Sequence, residues 1–431
     1  MITPICDFVR LYAERETMRL HMPGHKGMGQ LERLDITEVF GADSLYEAEG
    51  IIAQSENNAT RLFGFPTYYS TEGSSQCIRA MVHLAALHAR SRGKTPRIAA
   101  GRNAHKTFLS AVALLDVDVT WLHGSGESSY LSCDVTAEDV LALEGVTAVY
   151  LTSPDYLGNL ADVAAIAQAC HEKDMLLVVD NAHGAYLRFL TPSLHPMDLG
   201  ADLCCDSAHK TLPVLTGGAY LHVRDQELAK QAKNALALFG STSPSYLILQ
   251  SLDGINPYLA GEYRDKLDYF IQAVARCKDR LGAVGQEPMK LTLPAKAYGY
   301  TGTELARLLR QQNIECEFAD PDYLVLMPTP EMGEQSLLRL EEALARIPKQ
   351  SPITDAPPKL APREQVLGIR QALLAPSQTL PVEQCLGRVL SAASVGCPPA
   401  VPILVCGERI DENAIRCFRY YGIESCTVVI E

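Results

Sequence analysis

Between residues 51 and 285, short apolar runs alternate with longer stretches whose apolar residues recur at helical spacing. "RIAAG" (Arg97–Gly101), "AVYLTS" (Ala148–Ser153), "MLLVVD" (Met175–Asp180) and "GAYLHV" (Gly218–Val223) read as buried strands. Around them, "SQCIRAMVHLAALHARSR" and "DVAAIAQACHEKD" carry the period of helices. Strands that are apolar on both sides must be covered on both sides. The alternation therefore predicts an α/β fold with a mostly parallel sheet and helices on both faces. In such sheets ligands bind just past the carboxyl ends of the strands. This chain places its polar turns there: "GRNAHK", "TSPDYLGN" and "DNAHGAY" follow the first three strands, and "DSAHK" follows the short segment "ADLCC". Such turns predict one shared crevice.

At 431 residues the chain is too long for one small core. The pattern changes suggest an N-terminal arm over 1–50, the α/β domain over 51–285, a smaller α+β domain over 286–348, a Pro-rich linker over 349–362 and a C-terminal segment over 363–431. A net charge of −13 argues against a nucleic-acid surface. No apolar run approaches the roughly 20 residues of a membrane helix. The thirteen cysteines include no CxxC pair, and no signal-peptide pattern begins at Met1. The expectation is a cytoplasmic protein with reduced thiols and no metal site.

Lys210, directly after His209, is the residue whose setting asks for chemistry. A lysine amine is a nucleophile only when deprotonated, and a crevice can lower its pKa. Asp180 ends an apolar strand, where an unpartnered carboxylate would be costly. A cationic ring nitrogen would satisfy it, as in pyridoxal phosphate sites. "STEGSSQC" sets Gly73, Ser74 and Ser75 before a long helical pattern, and a helix start favours a phosphate. Ser207 adds a hydroxyl from the lysine turn. His105 is the candidate for a flat ring stacked on the cofactor. His183 and the small Ala182 lie at the same strand end as Asp180.

These motifs, with "MPGHKG" (Met22–Gly27), "DITE" (Asp35–Glu38), "STSPSYLILQSLD" (Ser241–Asp253) and "CPPAVPILVCGE" (Cys397–Glu408), resemble the Orn/Lys/Arg decarboxylase family of fold-type-I pyridoxal-phosphate enzymes. The resemblance runs in order from the arm to the C-terminal segment, without the N-terminal wing domain of the large members. It implies that Lys210 carries the cofactor covalently, Asp180 pairs with its ring nitrogen and His105 stacks on the ring. Ser74, Ser75, Ser207 and His209 would surround the phosphate. It further implies a homodimer with the active site at the subunit interface, where Thr242 and Ser243 reach the partner's phosphate. The implied reaction is decarboxylation of arginine, lysine or ornithine, with Lys210 or His209 returning a proton to Cα. Glu408 and Asp43 are candidates to meet the substrate's distal cation. The chain departs from the family pattern at Asp155, Tyr186, Gly217, Ala400 and Cys406. The same lysine and aspartate would also serve an aminotransferase or another lyase, or persist in a non-catalytic regulatory paralogue.

Overall fold

The computed structural model describes residues 1–15, 17–123, 132–359, 363–395 and 401–430. The described chain forms two compact units, Met1–Pro96 with Cys170–Leu267, and Arg97–Ala169 with Asp268–Glu431. Seven strands build the main sheet regions of the two units: β1 (Thr67–Ser70), β2 (Arg97–Gly101), β3 (Asp118–Leu122), β4 (Ala148–Thr152), β5 (Leu176–Asp180), β6 (Leu203–Asp206) and β7 (Ala219–Val223). Their order is β1-β7-β6-β5 in the first unit and β4-β2-β3 in the second. The helices that matter for the site are α1 (Pro4–Glu14), α2 (Ile51–Phe63), α3 (Gly73–Ser91), α4 (Lys106–Leu115), α5 (Ala137–Leu141), α6 (Val163–Glu172) and α7 (Ala208–Thr211).

In the first unit, strand direction assembles the site. β5 and β6 are parallel with Asp180 opposite Cys205, so their carboxyl ends lie side by side. β7 runs antiparallel to β6, with Asp206 opposite Tyr220, which returns the start of β7 to that same end. β1 is antiparallel to β7 with Ser70 opposite Ala219, so the turn leaving β1 arrives there too. The turns at 71–73, 181–184, 207–210 and 217–218 thus converge on one edge of the sheet. α3 lies against β1, β5, β6 and β7, burying Ile78, Met81, Val82 and Leu84. Full burial of one such side chain is worth about 1.5–3 kcal/mol, so a charge at Met81 would unseat the helix. α2 stops at Gly64, whose φ of 82° and N–H bond to Thr60 O close the last turn.

The expected arm contains α1. Its buried Ile5, Val9 and Tyr12 form a helical stripe, and Asp253 Oδ2 accepts the N–H groups of Ile5 and Cys6 at 3.0 and 2.9 Å. A carboxylate from 247 residues downstream on Cys6 caps this helix.

In the second unit β2 pairs in parallel with both β3 and β4. An antiparallel sheet of β8 (Leu291–Pro294), β9 (Phe318–Ala319) and β10 (Tyr323–Leu326) has the order β8-β10-β9. β11 (Ser377–Pro381), β12 (Ser394–Val395), β13 (Leu404–Val405) and β14 (Ser425–Val429) form two antiparallel pairs, β11 with β14 and β12 with β13. They enclose a core that includes Leu390, Ile403, Ile410, Phe418 and Val428. Among the described residues no helix is long and apolar enough to cross a membrane.

Candidate active site

Asp180 is the last residue of β5 and is 2% exposed. Its Oδ1 accepts the N–H of Ala182 at 3.2 Å and faces Cys205 Sγ at 3.7 Å. Burial, and then the Asp180 charge, push the Cys205 thiol well above its usual pKa, so it stays protonated toward the carboxylate. His183, also buried, presents Nε2 to Lys210 Nζ at 3.1 Å. Lys210 sits in α7, a single helical turn made by the polar end of β6, and is half-buried. The structure therefore joins Lys210 and His183 directly and sets Asp180 at the adjacent strand end.

Ser207 meets the start of α3. Ser207 Oγ donates to Ser74 Oγ at 2.8 Å. Gly73 takes φ of 69°, and its N–H donates to Gly217 O at 2.7 Å. The N-cap residue Glu72 gives α3 no side-chain cap; its carboxylate instead accepts from Ser241 N. His209 lies against this loop, its Cε1 being 3.9 Å from where a Gly73 Cβ would stand. Its Nδ1 donates to Gly218 O at 3.0 Å, which leaves Nε2 as an acceptor when the ring is neutral and as a donor when it is protonated. Thr242 and Ser243 are exposed.

Gly217 explains its own departure from the family pattern. Its φ is 100°, and a Cβ there would stand 2.9 Å from the carbonyl oxygen of Thr71. The backbone of this chain excludes a side chain at that position. Tyr186 is fully buried, as is Cys406, which packs with Leu109, Ala372 and Val405. Residues 397–400 of the C-terminal motif, Ala400 among them, lie outside the described residues.

Other expected residues are placed differently. The Asp43 carboxylate accepts the N–H groups of Ser44, Glu49, Gly50, Ile52 and Ala53 at 2.8–3.4 Å, and so builds the entry to α2. In the second unit Glu408 is buried against a cation of its own chain. Its Oε2 lies 2.7 Å from Arg102 Nη2 and also accepts Val405 N–H at 2.9 Å. The carboxylates of both residues are thus bonded within the fold. His105, also in the second unit, is exposed and caps α4, its Nδ1 accepting Thr107 N–H at 3.2 Å.

Asn181 and Asp206 went unread in the sequence. Asn181 Nδ2 donates to Asp206 Oδ1 at 2.6 Å, and both residues are fully buried. Only the position of Asp206, a polar residue closing an apolar run, hinted at this pair.

An amine, a buried carboxylate one strand away, and serine hydroxyls at the start of a 19-residue helix fit a phosphate-bearing cationic ring in their chemistry. Such a site on such a sheet defines a fold-type-I pyridoxal-phosphate enzyme, and the comparisons with known proteins agree. The model of the major domain of the Orn/Lys/Arg decarboxylases matches residues 3–286. The chain belongs to the Orn/Lys/Arg decarboxylase family and is a pyridoxal-phosphate-dependent decarboxylase. It is 28% identical to an arginine decarboxylase of Bacillus subtilis (strain 168), over 96% of this chain and 92% of that protein. It is 27% identical to one from Halalkalibacterium halodurans, over 97% and 93%. The constitutive lysine decarboxylase of E. coli matches its fold with a TM-score of 0.76 at 17% identity, over 100% of this chain and 82% of that one. The lysine decarboxylase of Francisella novicida does so with a TM-score of 0.79 at 15% identity, over 100% and 81%.

Proposed function

We propose that this protein releases carbon dioxide from a basic L-amino acid, with L-arginine its best substrate, and that Lys210 and Asp180 carry the reaction. The observation behind the assignment is the Lys210–His183 contact of 3.1 Å beside the buried Asp180. The substrate choice rests on the arginine decarboxylases to which the chain is similar over nearly its full length.

Pyridoxal phosphate, when bound, supplies a carbonyl that condenses with amines and a cationic ring that withdraws electrons. The residues of this chain do the rest. Lys210 would provide the amine that holds the cofactor. His183 accepts a hydrogen bond from Nζ and so orients the amine. Asp180, in its dry strand end, favours a protonated ring nitrogen. Ser74, Ser75 and Ser207, with the start of α3, would hold the phosphate, with His209 beside them. Ala182 would leave room for the ring, Gly73 would let the backbone approach the phosphate, and His105 is the residue proposed to stack on the ring. After carbon dioxide leaves, Lys210 Nζ or His209 delivers a proton to Cα. Exposed Thr242 and Ser243 belong to a homodimer in which this loop serves the partner's phosphate. Glu408 and Asp43 stay the candidates to meet the substrate's distal cation, each now bonded within the fold.

The test is release of carbon dioxide and amine by cofactor-loaded protein given L-arginine, L-lysine and L-ornithine separately. The reading expects release, fastest from arginine. Faster release from lysine or ornithine would overturn the substrate assignment, and amino transfer without carbon dioxide would overturn the reaction.

A further inference from the structure

One buried carboxylate lies directly before the lysine turn. Asp206 ends β6 with no exposed surface. Its Oδ2 receives His195 Nε2 at 3.1 Å and His222 Nε2 at 3.0 Å, and its Oδ1 receives Asn181 Nδ2 at 2.6 Å. Phe63 closes the cluster from one side, its ring 4.6 Å from that of His222 and 5.8 Å from that of His195. Burial would raise the Asp206 pKa, but the two imidazoles outweigh it and hold the carboxyl below the usual range. Burial keeps His222 below its usual value.

Among the described residues, His195, Asp206 and His222 are the group whose donor atoms lie close enough together for a metal ion. Hydrogen-bond directions favour a proton-filled network instead. His195 Nδ1 accepts Met197 N–H at 3.3 Å, which places the ring proton on Nε2, facing Asp206. The carboxylate then has side-chain donors in His195 and Asn181, with His222 Nε2 at 3.0 Å from the same Oδ2.

Asn181 connects this network to the site. It separates Asp180 from Ala182 in the chain, and its own N–H donates to Cys205 O at 3.0 Å. With its side chain on Asp206, it bonds twice to β6, immediately beside Asp180. Asp206 in turn precedes Ser207 and stands four residues before Lys210. We propose that Asp206, acting through Asn181, is a positioning residue that fixes the Asp180 turn against the Lys210 turn. The proposal rests on the roles given to Asp180 and Lys210 above.

The test compares Asn181→Ala with Leu177→Ala, a cavity in the buried part of β5, and adds Asp206→Asn. The readouts are pyridoxal phosphate affinity, the absorption band of the bound cofactor, and melting of the cofactor-free protein. Asn181→Ala is expected to weaken the cofactor by about tenfold or more and to move its band. Asp206→Asn should do the same. Leu177→Ala should lower the melting temperature while affinity stays within about twofold and the band stays put. Wild-type affinity and band in Asn181→Ala would overturn the proposal, as would losses in all three variants that simply track melting temperature. If Asp206→Asn does not fold, Asn181→Ala decides alone. Wild-type protein that binds the cofactor with no borohydride-stable adduct at Lys210 would instead overturn the site reading, and this proposal with it.

Discussion

Two polar turns that look alike in sequence behave differently in the fold. After β5 come Asn181, Ala182 and His183, and His183 meets Lys210. After β4 comes Pro154-Asp155-Tyr156-Leu157-Gly158-Asn159, equally polar and equally placed at a strand end. There Asp155 turns inward on its own backbone. Its Oδ1 accepts the N–H groups of Leu157 and Asn159 at 2.9 Å each, and its Oδ2 accepts Asn159 Nδ2 at 2.7 Å. The buried Lys290 donates to its carbonyl at 2.9 Å. One turn reaches the lysine proposed to hold the cofactor, and the other builds a loop. The difference lies in where each side chain's bonding capacity goes, which residue type alone does not reveal.

Substitutions can break or sharpen that contrast. The largest effect is expected from Lys210→Ala: decarboxylation should fall by about 10³-fold or more, and the borohydride-stable adduct should disappear. Measured turnover near that of wild type would end the assignment. Glu408→Gln comes next, acting on stability. Leaving Arg102 without its charged partner should cost about 3 kcal/mol in a denaturant titration. A large rise in KM for the amino acid with unchanged stability would favour the substrate role of Glu408 over this structural one. Asp180→Asn should lower kcat by about 10²-fold with little change in melting. Asp155→Ala should show the reverse, losing about 2 kcal/mol of stability while kcat stays within about threefold. Similar kinetic losses in those two variants would erase the distinction between the turns.

The smallest expected effect is on pH. Burial raises the Asp155 pKa above its ordinary value. A raised carboxyl contributes stability below its unfolded pKa and loses that contribution as pH rises through the folded value. The melting gap between wild type and Asp155→Ala should therefore be wider in acid than at neutral pH. A gap that widens toward neutral pH would contradict the sign.

The sheet was legible because strands buried on both faces leave short, uniformly apolar runs. Four of those runs appear as β2, β4, β5 and β7, and the helical spacing at 75–92 and 162–174 as α3 and α6. α1 was not, since its anchor is the distant Asp253 rather than a local cap. Lys210, Asp180 and the serine turn stood out as polar residues closing apolar segments. The bonds around them did not. That Asn181 meets Asp206 depends on β5 and β6 aligning Asp180 with Cys205. Arg102, which engages Glu408, lies 306 residues away in sequence. Gly217 read as a departure, and its necessity emerged only from its φ and the nearby Thr71 carbonyl.

The central claim is that Lys210 is the lysine that takes up the cofactor. Borohydride reduction of the pyridoxal-phosphate-loaded protein, followed by peptide mass spectrometry, tests it most directly. The account predicts one reduced adduct, on the peptide containing Lys210, in the wild type and none in Lys210→Ala. An adduct on another lysine such as Lys106 or Lys290, with Lys210 unmodified, would contradict it.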